Sequence, residues 1–331
     1  MLFNSVDFLV FFAFVITISV IIKNKNFSYV FLVAVSYFFF YFSNNFLISL
    51  LVFSTVLDFY IAKAIWSTDD KSKKKKLLLI SIIGNLGLLG FFKYADFGIS
   101  QFNDLFQLIG LNEVPLLEIA LPVGISFYTF QTLGYTIDVY RGQLSPAKSF
   151  KEFALFVAFF PQLVAGPILR ASNFLPQIRE KFSRLDAKNY LQQILIQRTN
   201  LKIGLTLMSF GFFKKMFFAD NIAPFVDEIF LNPIGLDSFA IILGTIGFGI
   251  QLYCDFSGYS DIAIGAALIL GFKVPQNFNF PFFATSPAEF WRRWHISLST
   301  WVRDYVFFPL VINHKKSKLR IFSSIFTTMF L

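Results

Sequence analysis

The polypeptide has 331 residues, of which 56% are hydrophobic and 49 are phenylalanine. A soluble domain of that size cannot hide so much apolar surface in one core, so a soluble globular fold is excluded and the bilayer must solvate much of the chain. The net charge of +9 sits in short gaps between apolar runs, as in cytoplasmic loops of membrane proteins, which argues against nucleic acid as a partner.

A membrane-crossing helix needs about 20 mostly apolar residues. The first candidates are residues 6–22, 27–43 and 46–66. The run 6–22 has no basic stretch before it and no small-residue cleavage site after it, so it reads as a retained helix rather than a signal peptide. Lys23 and Lys25 follow the first run, Asn44 and Asn45 separate the second from the third, and Lys71 and Lys73–Lys76 follow the third. With lysine-rich loops in the cytoplasm, the N-terminus falls outside and the loops alternate.

Residues 77–92 are the next candidate. Residues 93–118 then read as an outside loop, with an amphipathic surface helix around 102–111. Residues 119–140 return to the cytoplasm, where Arg141, Lys148 and Lys151 follow. The apolar run 153–169 is interrupted by Pro161, Gly166 and Pro167, and such a break at membrane depth is tolerated only inside protein or beside a wet cavity. A re-entrant element is expected there. A basic patch follows at Arg170, Arg179, Lys181, Arg184 and Lys188. It can attract phosphates or simply mark the cytoplasmic face.

Residues 203–218 and 238–267 are further membrane helices. Lys214 and Lys215 are placed to snorkel to an interface. From 282 to 305 charged residues and tryptophans alternate, too polar for a lipid-facing span. Ser286 and Pro287 form a suitable helix start. Lys315, Lys316, Lys318 and Arg320 precede a last apolar run, 321–331. It covers about 16 Å, half the hydrocarbon core. It reads as a short surface tail or as the start of a longer spanning helix. No repeat and no linker divides the chain, so one membrane domain over 1–331 is expected.

Ionisable groups within apolar runs are the functional candidates. Asp58 and Lys63 read as structural, and Asp138 as a local partner of Arg141 at i+3. Asp255 and Asp261 flank Ser257-Gly258-Tyr259-Ser260. They suit a bound cation, a helix break, or pairing with the arginines near Trp291, and pairing is favoured because buried charges need partners. Gly258 admits a helix break or the approach of another backbone. The lone Cys254 permits no intrachain disulfide and reads as a small buried hydrophobe.

His295 has the most specific setting. On a helix, Trp291 and Ser299 lie one turn either side, with Arg292 at i−3, and Glu289 reaches Arg292 and Arg293. Cations nearby keep an imidazole neutral and able to accept a proton. A lone histidine of this kind also serves as a structural residue. His314, beside Lys315 and Lys316, reads as solvated. No cluster has metal-ligand spacing, no glycine-rich phosphate loop precedes a helix, and no Ser-His-Asp arrangement is legible. The residues alone define a membrane protein with a polar, Trp- and Arg-rich cavity helix, which suits a transporter or flippase as well as an enzyme.

The segments QLYCDFSGYSD (251–261), PQNFNFP (275–281) and EFWRRWHISLSTW (289–301) occur in close succession. With LPVGISFYTFQTLGYTIDVYR (121–141) and FFPQLVAGPILR (159–170), this series resembles the membrane-bound O-acyltransferase (MBOAT) family, in its alginate O-acetyltransferase-like bacterial branch. The resemblance implies an all-α, polytopic integral membrane protein, a ring of transmembrane helices with re-entrant elements and funnels on both faces, in the bacterial cytoplasmic (inner) membrane among membrane lipid. It implies transfer of an acyl group, usually acetyl, from a cytoplasmic thioester to hydroxyls of an extracytoplasmic polysaccharide, through a periplasmic or secreted acetyltransferase partner. Acyl-CoA or a carrier-protein thioester is the implied donor substrate, with no bound cofactor. His295 matches the first of two family histidines. Trp291, Arg292, Arg293, Trp294, Ser299, Asp304 and Asp255 are implied to shape the cytoplasmic funnel around it. The second, principal histidine belongs to a Trp-His-Gly motif that these 331 residues do not contain. The half-length final run and that motif's absence together give the expectation of a chain cut short. A non-catalytic membrane scaffold is then a further alternative.

Overall fold

The computed structural model describes residues 1–22, 24–164, 166–183, 198–312 and 318–330. Lys23, Arg184, Lys188, His314, Lys315 and Lys316 lie outside the described residues. Among the described residues every regular element is helical. Three helical stretches, Asn26–Trp66, Lys71–Leu108 and Ser238–Ile269, are long and apolar enough to cross a membrane.

Helix α1 (Val6–Ile21) is capped by Ser5, and α2 (Lys25–Asn44) is capped by Asn24. A short 3₁₀ turn leads into α3 (Ile48–Trp66). The first of the three long stretches is bent, because Asn45 adopts φ 50. The Tyr37 hydroxyl donates to Thr55 Oγ1 at 3.4 Å. In one straight helix those residues would stand about 27 Å apart, so α2 and α3 fold back on each other, as expected for two runs divided at Asn44 and Asn45. Asn44 clamps the bend, accepting from Val123 N at 2.7 Å.

The fourth helix differs from expectation. α4 runs unbroken from Lys71 to Leu108, 38 residues, or about 57 Å. Residues 93–108 are therefore its continuation, not a loop bearing a separate surface helix. No proline interrupts it, and its far end gains partners from the returning chain. Asp96 accepts from the amides of Leu117 (2.8 Å) and Ile119 (3.0 Å). Asn103 exchanges two hydrogen bonds of 2.8 Å with Val114.

Helix α5 (Ile125–Tyr140) packs between α3 and α4. Asp58 of α3 is fully buried at this junction. It accepts from Ser81, from Asn85 at 2.9 Å and from Thr136 at 3.0 Å. The carboxyl thus ties three helices together, the structural role expected for it. Asp138 departs from expectation. It accepts from the Tyr305 hydroxyl at 2.8 Å, while Arg141 donates to the Asp304 carbonyl at 3.2 Å. Arg141 lies over the Tyr305 ring.

The proline-broken segment is α6 (Phe150–Ala158) and α7 (Phe160–Leu163), and almost all of it is buried. The break at Phe159 frees backbone groups where no water is available, and side chains of other helices take them. Gln131 donates to the Phe156 carbonyl, and Ser36 Oγ accepts from the Phe160 amide at 3.3 Å. Gln162 in turn donates to Gln131 at 2.8 Å. Phe159, Phe160, Phe174 and Phe272 pack around this break to form the core.

Helix α8 (Ala171–Ser183) follows, then α9 (Arg198–Phe212), a π-helical turn (Phe213–Ala219), α10 (Asp220–Leu231) and α11 (Ser238–Ile269). Of the two roles open to Gly258, close approach is the one observed, since α11 is continuous there. A Cβ on Gly265 would lie 2.5 Å from Gly204 O, and one on Gly211 would lie 2.6 Å from Gly258 O. The pairs 204/265 and 211/258 make α9 and α11 antiparallel, with backbones in contact at both points. Small residues are what permit this between membrane helices.

A side chain added at that seam has nowhere to go, and overpacking costs about 1–3 kcal/mol. We expect Gly265→Val to lower the thermal midpoint in detergent by several degrees. Gly87→Ala, whose Cβ would meet nothing within 4 Å, should leave it unchanged or raise it. Equal effects from the two would contradict a packed α9–α11 seam.

Candidate functional site

The segment after α11 carries the motif-bearing residues. Helix α12 (Pro287–Arg293) starts as the sequence predicts, with Ser286 as N-cap and Pro287 in the first turn. Glu289 pairs with Arg293 at 2.6 Å. The sequence reading then places His295 inside one helix, and here the structure differs. α12 ends at Arg293 with Trp294 as its C-cap, and α13 (Ile296–Val302) begins afresh with His295 as its N-cap residue at φ 41.

The reason lies in the preceding motif. Asn277 is fully buried, and its carbonyl accepts from Ile296 N at 2.9 Å. Its Oδ1 accepts from Ser297 N at 3.2 Å and Ser297 Oγ at 2.9 Å. The Asn279 amide donates to the Arg293 carbonyl at 2.9 Å. The PQNFNFP strip thus pairs with the turn, satisfying the first-turn amides of α13 that a helix leaves open. Ser297 Oγ also accepts from Ile168 N at 3.0 Å, linking the turn to the segment after the break at Phe159.

His295 lies among Phe127, Phe256 and Phe278, with ring centroids at 6.2, 4.7 and 6.5 Å. Its Nε2 is buried without a hydrogen-bond partner. The turn lies outside the three long apolar spans. Burial pushes its pKa down to about 4. It is therefore neutral at neutral pH, as the sequence predicts, but because of desolvation and not nearby cations.

The structure groups some of the predicted site residues and separates others. Trp294 packs on Phe278 at 5.0 Å, beside His295. Ser299 N donates to His295 O at 2.9 Å, and its hydroxyl donates to the Trp294 carbonyl at 3.2 Å. Trp294, His295 and Ser299 therefore form one unit. Trp291 and Arg292 are exposed on α12, and Arg293 turns its side chain to Glu289.

Asp304 belongs to a second cluster. Arg170 donates to it at 2.6 Å and to the Thr300 carbonyl at 3.0 Å, and stacks over Tyr305 at 5.0 Å. Asp255 pairs not with the arginines near Trp291 but with Lys215 at 2.5 Å, and Asp261 pairs with Lys214 at 2.6 Å. Lys215 also reaches Asp220 at 2.7 Å. The lysines expected to snorkel are thus held in ion pairs, because the π-helical turn carries them against α11. Asp255 still adjoins the site through Phe256, its chain neighbour.

The described part of the basic patch is engaged internally. Arg170 holds Asp304, Arg179 pairs with Glu152 at 2.5 Å, and Lys181 donates to the Leu270 carbonyl and lies over the Phe272 ring. Sequence reasoning missed Asn277, Ser297, Phe127, Phe256 and Phe278 as site residues. Asn277 stands within a motif quoted for its resemblance, which was the one signal available for it.

A helical, polytopic membrane protein with a half-buried histidine turn is the class that this fold and site define. The family profile of MBOAT, the membrane-bound O-acyltransferase family, matches residues 146–331. The chain belongs to that family. It is 39% identical over 287 residues to a protein of Pseudomonas aeruginosa named a probable alginate O-acetylase AlgI, covering 85% of this chain and 52% of the relative. It is 37% identical over 318 residues to the peptidoglycan O-acetyltransferase of Helicobacter pylori, covering 89% of this chain and 58% of the relative. The teichoic acid D-alanyltransferase of Bacillus subtilis is 30% identical over 200 residues, covering 59% of this chain and 47% of the relative. The chain spans about half the length of the curated relatives it matches.

The lowered pKa of His295 carries a sign. Between its unfolded value of 6.5 and about 4, the unfolded chain binds more protons than the folded one. The stability contributed by burying the neutral ring is present above pH 6.5 and is lost as pH falls through that window. We expect His295→Gln to reduce the drop in thermal midpoint between pH 7 and pH 4.5. An unchanged drop would show that the ring is solvated.

Proposed function

We propose that this chain forms the donor side of an O-acyltransferase that moves an acyl group, most simply acetyl, from a cytoplasmic thioester towards hydroxyls of an extracytoplasmic polysaccharide. The observation that carries this reading is the His295 imidazole, neutral, half-buried among aromatic rings and with a buried, unpartnered Nε2, in a chain of the MBOAT family. A neutral imidazole in an apolar wall can accept a proton or a hydrogen bond from a bound substrate. The surrounding phenylalanines suit the acyl and pantetheine portions of a thioester, whether coenzyme A or a carrier protein bears it. His295, Trp294 and Ser299 contact the donor in this reading, with Trp291, Arg292, Arg293, Asp304 and Asp255 around its path. The principal base would be the Trp-His-Gly histidine of the family, which these residues do not include.

The names of the relatives support the reading, because two concern O-acetylation, one of alginate and one of peptidoglycan. The same reading places the protein in the bacterial cytoplasmic membrane, crossing it several times, with a periplasmic or secreted acetyltransferase as partner.

The test is equilibrium binding of radiolabelled acetyl-CoA, and separately of an acetylated carrier protein, to the purified chain in nanodiscs. We expect saturable binding of one of them, weakened about tenfold or more by His295→Ala, equivalent to about 1.4 kcal/mol. Binding of neither, together with solute uptake by vesicles carrying the chain, would replace the enzyme reading with a transporter.

A further inference from the structure

We infer that Asn277 is the positioning residue for His295: its side chain and carbonyl hold the left-handed turn that sets the imidazole among Phe127, Phe256 and Phe278. The role in donor binding rests on the function proposed above, while the positioning itself rests on geometry alone.

A residue other than glycine at φ 41 is strained, and such a conformation persists only where surroundings over-determine it. Here they do. Without Asn277 the stretch Glu289–Trp301 has the composition to continue as one helix, which would carry His295 away from its present position. The amides of Ile296 and Ser297 would then bond within that helix. Asn277 takes both amides instead, at 2.9 and 3.2 Å, and the Ser297 hydroxyl as a third donor at 2.9 Å. Its own amide group reaches Ser260 Oγ on α11 at 3.4 Å. Ser297 passes the constraint on to Ile168 at 3.0 Å. The buried Asn277 amide thus joins α11 to the His295 turn, and Ser297 joins that turn to the segment beyond the buried break.

Two of the three phenylalanines flanking His295 are tied to these contacts, while Phe127 comes from α5. Phe256 is on α11, and Phe278 follows Asn277 directly. The hydrogen bonds that set the turn therefore also hold Phe278 beside His295, and Asn277 acts on substrate only through this turn. Leu, Asp or Ala cannot replace it: the first and last lack the acceptor, and the carboxylate would bring an unpaired charge into a buried site.

The experiment is nitrogen-15 NMR of histidine-labelled chain in detergent micelles. His314→Ala assigns the two imidazoles. Asn277→Ala is expected to move the His295 ring resonances out of their wild-type positions, leave those of His314 in place, and weaken thioester binding about tenfold or more. Ser297→Ala is expected to give a smaller shift in the same direction, and Ser297→Thr, which restores the hydroxyl, to return the resonances towards wild type. Ser260→Ala, which removes only the 3.4 Å contact, should leave them in place. This pattern separates positioning from general loss of fold. If Asn277→Ala does not fold, the Ser297 pair decides the question. Unchanged His295 resonances in folded Asn277→Ala, or no rescue by threonine, would overturn the inference. The NMR result stands even if the wild-type chain binds no thioester, so failure of the functional reading and failure of this inference are distinguishable.

Discussion

An apolar interior offers no water to an unpaired amide or carbonyl, and that constraint governs where this chain can depart from regular helix. Each unmade bond there costs about 1–3 kcal/mol or more. Two breaks in the structure meet the cost in the same way. At Phe159 the freed groups are taken by Ser36 and Gln131. At His295 they are taken by Asn277. In both cases a polar side chain remote in sequence substitutes for the missing helical partner. The irregular backbone is therefore a consequence of tertiary packing, and it exists only where those partners arrive.

The same principle explains the charges. Asp58 has hydroxyl and amide donors from two neighbouring helices. Asp255 and Asp261 have lysines from the π-helical turn. Asp304 has Arg170 and Arg303, at 2.6 and 2.8 Å. The Nε2 of His295 is among the buried polar atoms left without a hydrogen-bond partner in the described residues, as are the Tyr128 and Ser257 hydroxyls. A buried polar atom that the protein leaves unused is available to a substrate, and its position among aromatic rings favours one with an apolar stem.

Much of the fold was legible in the sequence because hydropathy is a local signal. The apolar runs, the divide at Asn44 and Asn45, the broken segment near Pro161 and the Ser286-Pro287 helix start all follow from neighbouring residues. What was not legible depended on distant ones. The length of α4 depends on Asp96 and Asn103 meeting the returning chain. The fate of Lys214 and Lys215 depends on α11, some forty residues later. The helical spacing of Trp291, His295 and Ser299 is real in the sequence, yet Asn277 breaks the helix it implies. The family resemblance singled out His295, but only the structure shows that burial keeps it neutral.

The account makes the His295 turn the place where the thioester donor lies, and chemical footprinting tests that most directly. Diethylpyrocarbonate modification of His295, followed by mass spectrometry on the chain in nanodiscs, measures access to Nε2 itself. Saturating acetyl thioester should slow His295 modification about tenfold or more while leaving His314 modification unchanged. If His295 reacts at the same rate with and without a donor shown to bind, the donor lies elsewhere and the assignment of this turn is wrong.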